Sequence, residues 1–134
     1  MRLCIAITVI LLVCTPNVVN IEEQSPEYYC EDFSLFATWF TEPVESAYFY
    51  WVDGSVFKLT SYQWNTISCS PSDCIAELKH RNLDIRFCLF IIHNHLIPSG
   101  FSAGDRGFHN RMKKHGFVGM FLLYCNGKTY ILRD

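Results

Sequence analysis

The chemistry of this chain concentrates between His93 and Asp105. His93-Asn94-His95 closes a segment from Asp84 to Ile92 whose last six residues are apolar. A turn with Pro98 and Gly100 follows, and then Ser102 and Asp105 three positions apart. Residues two apart in a strand point to one side. His93 and His95 can therefore present both imidazoles to one point while Asn94 faces away. A catalytic zinc site uses three protein ligands plus water, with imidazole nitrogens at about 2.0–2.1 Å. Asp105 is the candidate third ligand, in the first turn of a helix whose positive end can be aimed back at the strand. Two neutral imidazoles and one carboxylate leave a net positive charge, which draws the pKa of a bound water toward neutrality. The base that takes the water's proton must come from elsewhere in the chain.

His-x-His by itself is weak, and Ser102-x-x-Asp105 by itself is a helix cap. Their conjunction is what points to a metal: two histidines ending a buried strand, a short turn, and a capped helix carrying an acid.

The elements that must position these residues are legible around them. Phe33, Phe36, Ala37 and Phe40 have helical spacing, and Thr41-Glu42-Pro43 ends that segment. Val44–Val52 and Val56–Thr60 are rich in strand formers and flank Asp53-Gly54, which predicts a β-hairpin. Ser61 to Ile67 is a loop or a further short strand. Ser70-Pro71-Ser72-Asp73 opens a helix, Cys74, Ile75 and Leu78 share its apolar face, and Asn82 stops it. Asp84–Ile92 reads as a strand covered on both faces. Ala103–Lys114 reads as a helix capped by Ser102 and stopped at Gly116. Phe117–Cys125 and Lys128–Leu132 are strands joined at Asn126-Gly127, the strongest hairpin signal in the chain. Residues 21–32 read as a polar lead-in. The order predicts a mixed α/β (α+β) domain with one central sheet and flanking helices.

With these residues in place, the chain resembles the JAB/MPN metallopeptidase superfamily, whose motif is an upstream Glu and then His-x-His-Pro-x6-Ser-x-x-Asp. His93-Asn94-His95 followed by Pro98-Ser99-Gly100 is most similar to the RadC-like branch. The resemblance covers about residues 42–134 and implies a cytidine-deaminase-like JAB/MPN fold. It implies that His93, His95 and Asp105 bind zinc, that Ser102 steadies the developing oxyanion, and that a Glu at the head of a neighbouring strand is the base. Glu45 fits that place, and Glu42, just before Pro43, is the runner-up. Two positions depart from the pattern. Leu96 stands where the family has Pro, and six residues separate His95 from Ser102, one fewer than in the family. The resemblance implies a zinc-dependent peptidase or isopeptidase acting on a peptide or protein. A catalytically inactive binding or scaffold domain is the alternative.

The totals bound the rest. The 134 residues suit one domain, and half are apolar, which argues for a packed core. The net charge of −2 comes without a basic run, so no nucleic-acid footprint exists. Residues 1–20, with Arg2, the apolar run Leu3–Cys14 and Pro16, resemble a secretory signal, although Val18-Val19-Asn20 lacks the small residues of a cleavage site. An uncleaved anchor and a buried N-terminal helix are the other readings of that segment. The division expected is therefore 1–20 signal, 21–41 lead-in and 42–134 JAB/MPN-like domain, secreted or otherwise anchored through its N-terminus, with no stable membrane span once the signal is removed. Oligomeric state is not legible. Of the seven cysteines, Cys4 and Cys14 lie in the signal-like segment, and export would leave an odd five. A disulfide among Cys30, Cys69 and Cys125 is expected, with Cys74 and Cys88 as buried thiols. His80, His109 and His115 read as surface histidines, with His109 the one that could approach the cleft.

Overall fold

The computed structural model describes residues 18–19, 27–30, 34–60 and 70–133. The signal-like segment before Val18 and the stretch 61–69 lie outside them.

Among the described residues, seven strands form one sheet: β1 (Val18–Val19), β2 (Glu27–Cys30), β3 (Ser46–Trp51), β4 (Val56–Thr60), β5 (Cys88–Asn94), β6 (Met120–Cys125) and β7 (Lys128–Leu132). Their order across the sheet is β1-β2-β7-β6-β5-β3-β4. Only β5 and β6 run parallel, and every other pairing is antiparallel. A parallel pair needs a crossover, and helix α3 (Ala103–Lys114) supplies it. Helix α2 (Pro71–His80) packs beside α3. Residues from both helices, among them Cys74, Leu78 and Met112, share a core with Ala47, Phe49 and Ile91 of the sheet. On the other face, Phe36 of α1 (Ser34–Ala37) is buried with Phe90 and Ile92, flanked by Trp39 and Phe40. The fold is thus mixed α+β, a mixed sheet with helices packed on it.

Local chemistry sets the element ends. Ser70 accepts from the Asp73 N–H at 3.1 Å, and Pro71 occupies the first helical position of α2, where its missing donor costs nothing. At the other end Asn82 adopts φ +57°, and the Leu83 N–H returns to the Leu78 carbonyl at 2.8 Å. Gly116, at φ +104°, ends α3 in the same way, with the Phe117 N–H on the Met112 carbonyl at 3.0 Å. Asn126 and Gly127, at φ +52° and +75°, form the primed turn expected between β6 and β7.

Several expectations change. The strand predicted from Asp84 begins at Cys88, because Asp84 caps a 3₁₀ turn over Ile85–Phe87. The strand predicted from Phe117 begins at Met120, because Phe117 still belongs to the helix cap. The aromatic helix predicted over 33–40 spans only Ser34–Ala37. The lead-in is not all irregular: Glu27–Cys30 pairs with β7, whose outer backbone groups would otherwise be an open edge. Cys74, Cys88 and Cys125 are buried and form no disulfide, which removes Cys125 from the disulfide candidates. The side chains of Cys30 and Cys69 lie outside the described residues. No helix among the described residues is long and apolar enough to cross a membrane.

Candidate metal centre

β5 is the strand that delivers the histidines. It pairs with β3 on one side and β6 on the other, so its end is held from both directions. His93 faces the helices and is 5% exposed. The His95 N–H continues the ladder to the Tyr124 carbonyl at 3.1 Å, which keeps His95 in line although the strand has ended. The two rings lie 5.1 Å apart at 70°.

Hydrogen bonds set the tautomer of each ring. His93 Nδ1 lies 3.0 Å from the Leu122 carbonyl oxygen, which can only accept. His95 Nδ1 lies 2.8 Å from Ser99 Oγ, whose own proton goes to the Ile97 carbonyl at 3.1 Å. Both Nδ1 atoms therefore carry the proton, and both Nε2 atoms offer a lone pair. Second partners of this kind are what orient metal-binding imidazoles.

Asp105 is held by a reciprocal cap. Its N–H donates to Ser102 Oγ at 3.0 Å, and its Oδ2 accepts from the Ser102 N–H at 2.8 Å. The six-residue turn is long enough to bring it home. Asp105 Oδ1 stands 3.2 Å from His93 Nε2, and Oδ2 stands 3.1 Å from His95 Nε2. One ligand atom from each of the three residues lies within 4.8 Å of the others. A tetrahedron with bonds of about 2.0–2.1 Å has edges of about 3.3 Å. The donor set thus fits a metal ion, and the residues that could hold one are His93, His95 and Asp105.

A further observation bears on that fit. His93 Nε2 is buried and makes no hydrogen bond. With neutral rings, it and its His95 counterpart point lone pairs at carboxylate oxygens, so acceptor faces acceptor. A cation among them, or a proton on a ring, removes the conflict.

The electrostatics follow the same geometry. Burial pushes the Asp105 carboxyl up, but the imidazoles of His93 and His95 against its oxygens, able to take up a proton there, outweigh it and hold the group well below the usual carboxylate range. Burial disfavours charge on His95, yet Asp105 and Glu45 outweigh it and raise its pKa. Glu45 precedes β3 and is raised chiefly by burial, with His95 and His93 pulling it down and Asp105 pushing it up. Glu45, His93, His95, Ser102 and Asp105 all line one cavity of about 620 Å³. Glu42 does not line it and instead pairs with Lys58 at 2.9 Å on the exposed surface.

Phe121 and Phe101 wall the buried side of the site, 5.3 and 5.8 Å from the His93 ring. His109 is not a surface histidine. It is 6% exposed and stacks on Phe121 at 4.9 Å, and it does not line the cavity. Two residues were not expected at the site. Ser99 orients His95, and its only signal was a small hydroxyl in the turn four positions on. Asn94 does not simply face away: it is 4% exposed and bonds the backbone on either side of Glu45.

No protein-family model matches this chain, and no curated protein matches it.

Proposed function

We propose that this protein is a zinc-dependent metallopeptidase or isopeptidase of the JAB/MPN type, RadC-like in its histidine loop, that hydrolyses an amide bond in a peptide or protein. The observation that carries the reading is the convergence of the His93 and His95 imidazoles and the Asp105 carboxylate in a cavity that Glu45 also lines. The resemblance of the motif supports the family, and the sheet with a helix crossing from the histidine strand to its parallel neighbour is compatible with the JAB/MPN fold. Residues 1–20 add secretion to the proposal.

Zinc held by His93, His95 and Asp105 would supply Lewis acidity, lowering the pKa of a coordinated water and polarising the substrate carbonyl. The chain's own residues do the rest. Glu45, whose burial keeps its carboxyl a stronger base than an exposed glutamate, takes a proton from water and returns it to the leaving amine. Ser102 Oγ accepts from the Asp105 N–H and keeps its own proton for a developing oxyanion. Ser99 and the Leu122 carbonyl hold the rings in register. Apolar walls at Ala47, Ile91, Phe108 and Phe121 limit water.

The test is metal analysis and peptide hydrolysis on protein purified with zinc present. About one zinc per chain is expected, with Glu45→Gln retaining it and losing about 10²–10⁴ in rate. Zinc bound without hydrolysis of any peptide would favour the inactive binding domain. No zinc in the wild type would overturn both the metal and the enzyme.

A further inference from the structure

Asn94 sits between the two histidines in sequence and is the last residue of β5. Its neighbour His93 pairs with Ala47, so continuing the register sets Asn94 across from Ser46. Its amide makes two bonds across to the chain entering β3, one at the first strand residue and one two residues ahead of it. Oδ1 accepts from the Ser46 N–H at 2.7 Å, and Nδ2 donates to the Val44 carbonyl at 3.3 Å. The Val44 carbonyl belongs to the peptide unit before Glu45, and the Ser46 N–H belongs to the one after it. One planar side chain thus holds both peptide units that flank the Glu45 Cα, and so sets the direction of its Cα–Cβ bond.

The partners also decide the chemistry required. A backbone N–H only donates and a carbonyl only accepts, so the clamp needs an acceptor and a donor on one short planar group. Asparagine meets that need. Aspartate lacks the donor, and glutamine is one methylene too long. Asn94 and Ser46 are both buried, so the shorter of the two bonds is shielded from water, while the Val44 bond is partly buried. Ser46 is anchored further by its hydroxyl, 3.2 Å from Thr60 Oγ1 on β4.

We infer that Asn94 is a positioning residue that locks the Glu45 carboxylate at a set distance from the ligands on either side of it, so that base and metal site move as one body. The inference rests on the proposed role of Glu45. It goes further in giving the middle residue of His-x-His a task of its own.

The experiment compares Asn94→Ala and Asn94→Asp with Glu45→Gln and with the double variant Glu45→Gln/Asn94→Ala. Displacing a catalytic group by about 1 Å costs roughly 100-fold. Each Asn94 variant should lose about that factor in kcat with KM changed less than about threefold, while zinc stays at the wild-type content. The double variant should be no slower than Glu45→Gln alone, because the clamp acts only through that carboxylate. Effects that multiply in the double variant would overturn the inference. A second readout needs no activity. In the zinc-free protein the Ser46 amide should exchange at least about tenfold faster in Asn94→Ala, with the Ile91 and Ile92 amides unchanged. Equal exchange at Ser46 in wild type and variant would overturn the clamp. If the wild type hydrolyses nothing, the enzyme reading fails, and the exchange measurement still decides the clamp.

Discussion

Replacing Asp105 by asparagine separates the two tasks of that side chain. The amide keeps an oxygen for the Ser102 N–H, so the cap of α3 survives, but the ligand charge is gone. For the wild type, free zinc at about a hundred times its Kd stabilises the fold by about 2.7 kcal/mol. In a chain of 134 residues each kcal/mol is roughly 3–5 °C of melting temperature, so zinc should raise it by about 10 °C. Disturbing even an outer partner of a ligand weakens metal binding by about 10–100-fold. Losing the carboxylate itself should cost at least about 100-fold, leaving about 0.4 kcal/mol at the same zinc concentration and a shift under about 2 °C. Without metal the difference should depend on pH. The His95 pKa is raised, so its contribution is full below its ordinary value of 6.5 and is lost as pH rises through its folded value. That of Asp105 is depressed, so its contribution is present above 3.8 and is lost only as pH falls through its folded value. Metal-free wild type should therefore be favoured most between those ordinary values and lose ground toward about pH 8. There the asparagine can donate to an Nε2 lone pair, and the variant should melt no lower than wild type. Thermal melts with and without zinc at both pH values read all of this. Ser102→Ala is the control, losing about 1 kcal/mol of cap while keeping the zinc shift. A full zinc shift in Asp105→Asn would refute the ligand assignment.

Three further outcomes follow from the same structure. Hydrolysis should fall as pH drops through the folded pKa of Glu45, which lies above the ordinary 4.5, and Glu45→Gln should abolish that acid limb along with the activity. Gly119→Ala should cost at least about 2 kcal/mol and weaken zinc binding, read by denaturant melts and metal titration. A Cβ there would collide with the Leu89 carbonyl oxygen, against the backbone of the strand that carries the histidines. The Cys88 thiol, pushed up to about 12 by burial, should resist iodoacetamide in the native protein and react once it is unfolded, as mass spectrometry would show.

Much of this protein is written in short-range chemistry. Ser70-Pro71 and Asn82 bound α2, and Ser102 and Gly116 bound α3, because caps and left-handed residues act within one turn. Asn126-Gly127 marks its hairpin for the same reason. His93, His95 and Asp105 were recognisable as a metal set because strand period and helix cap are both local patterns. What neighbours along the chain could not decide was how distant segments meet. Whether a six-residue turn still lays Asp105 on both imidazoles depends on where α3 packs across the sheet. Glu45 rather than Glu42 joins the cavity because Ala47 pairs with His93, which brings the head of β3 to the end of β5. Glu27–Cys30 becomes a strand only because β7 has an edge to fill. Asn94, which strand alternation alone turns away from the two imidazoles, gains its partners from that same pairing with β3. Register between strands far apart in sequence is a tertiary quantity, set by the packing of a whole sheet, and it is what turns a metal motif into a site.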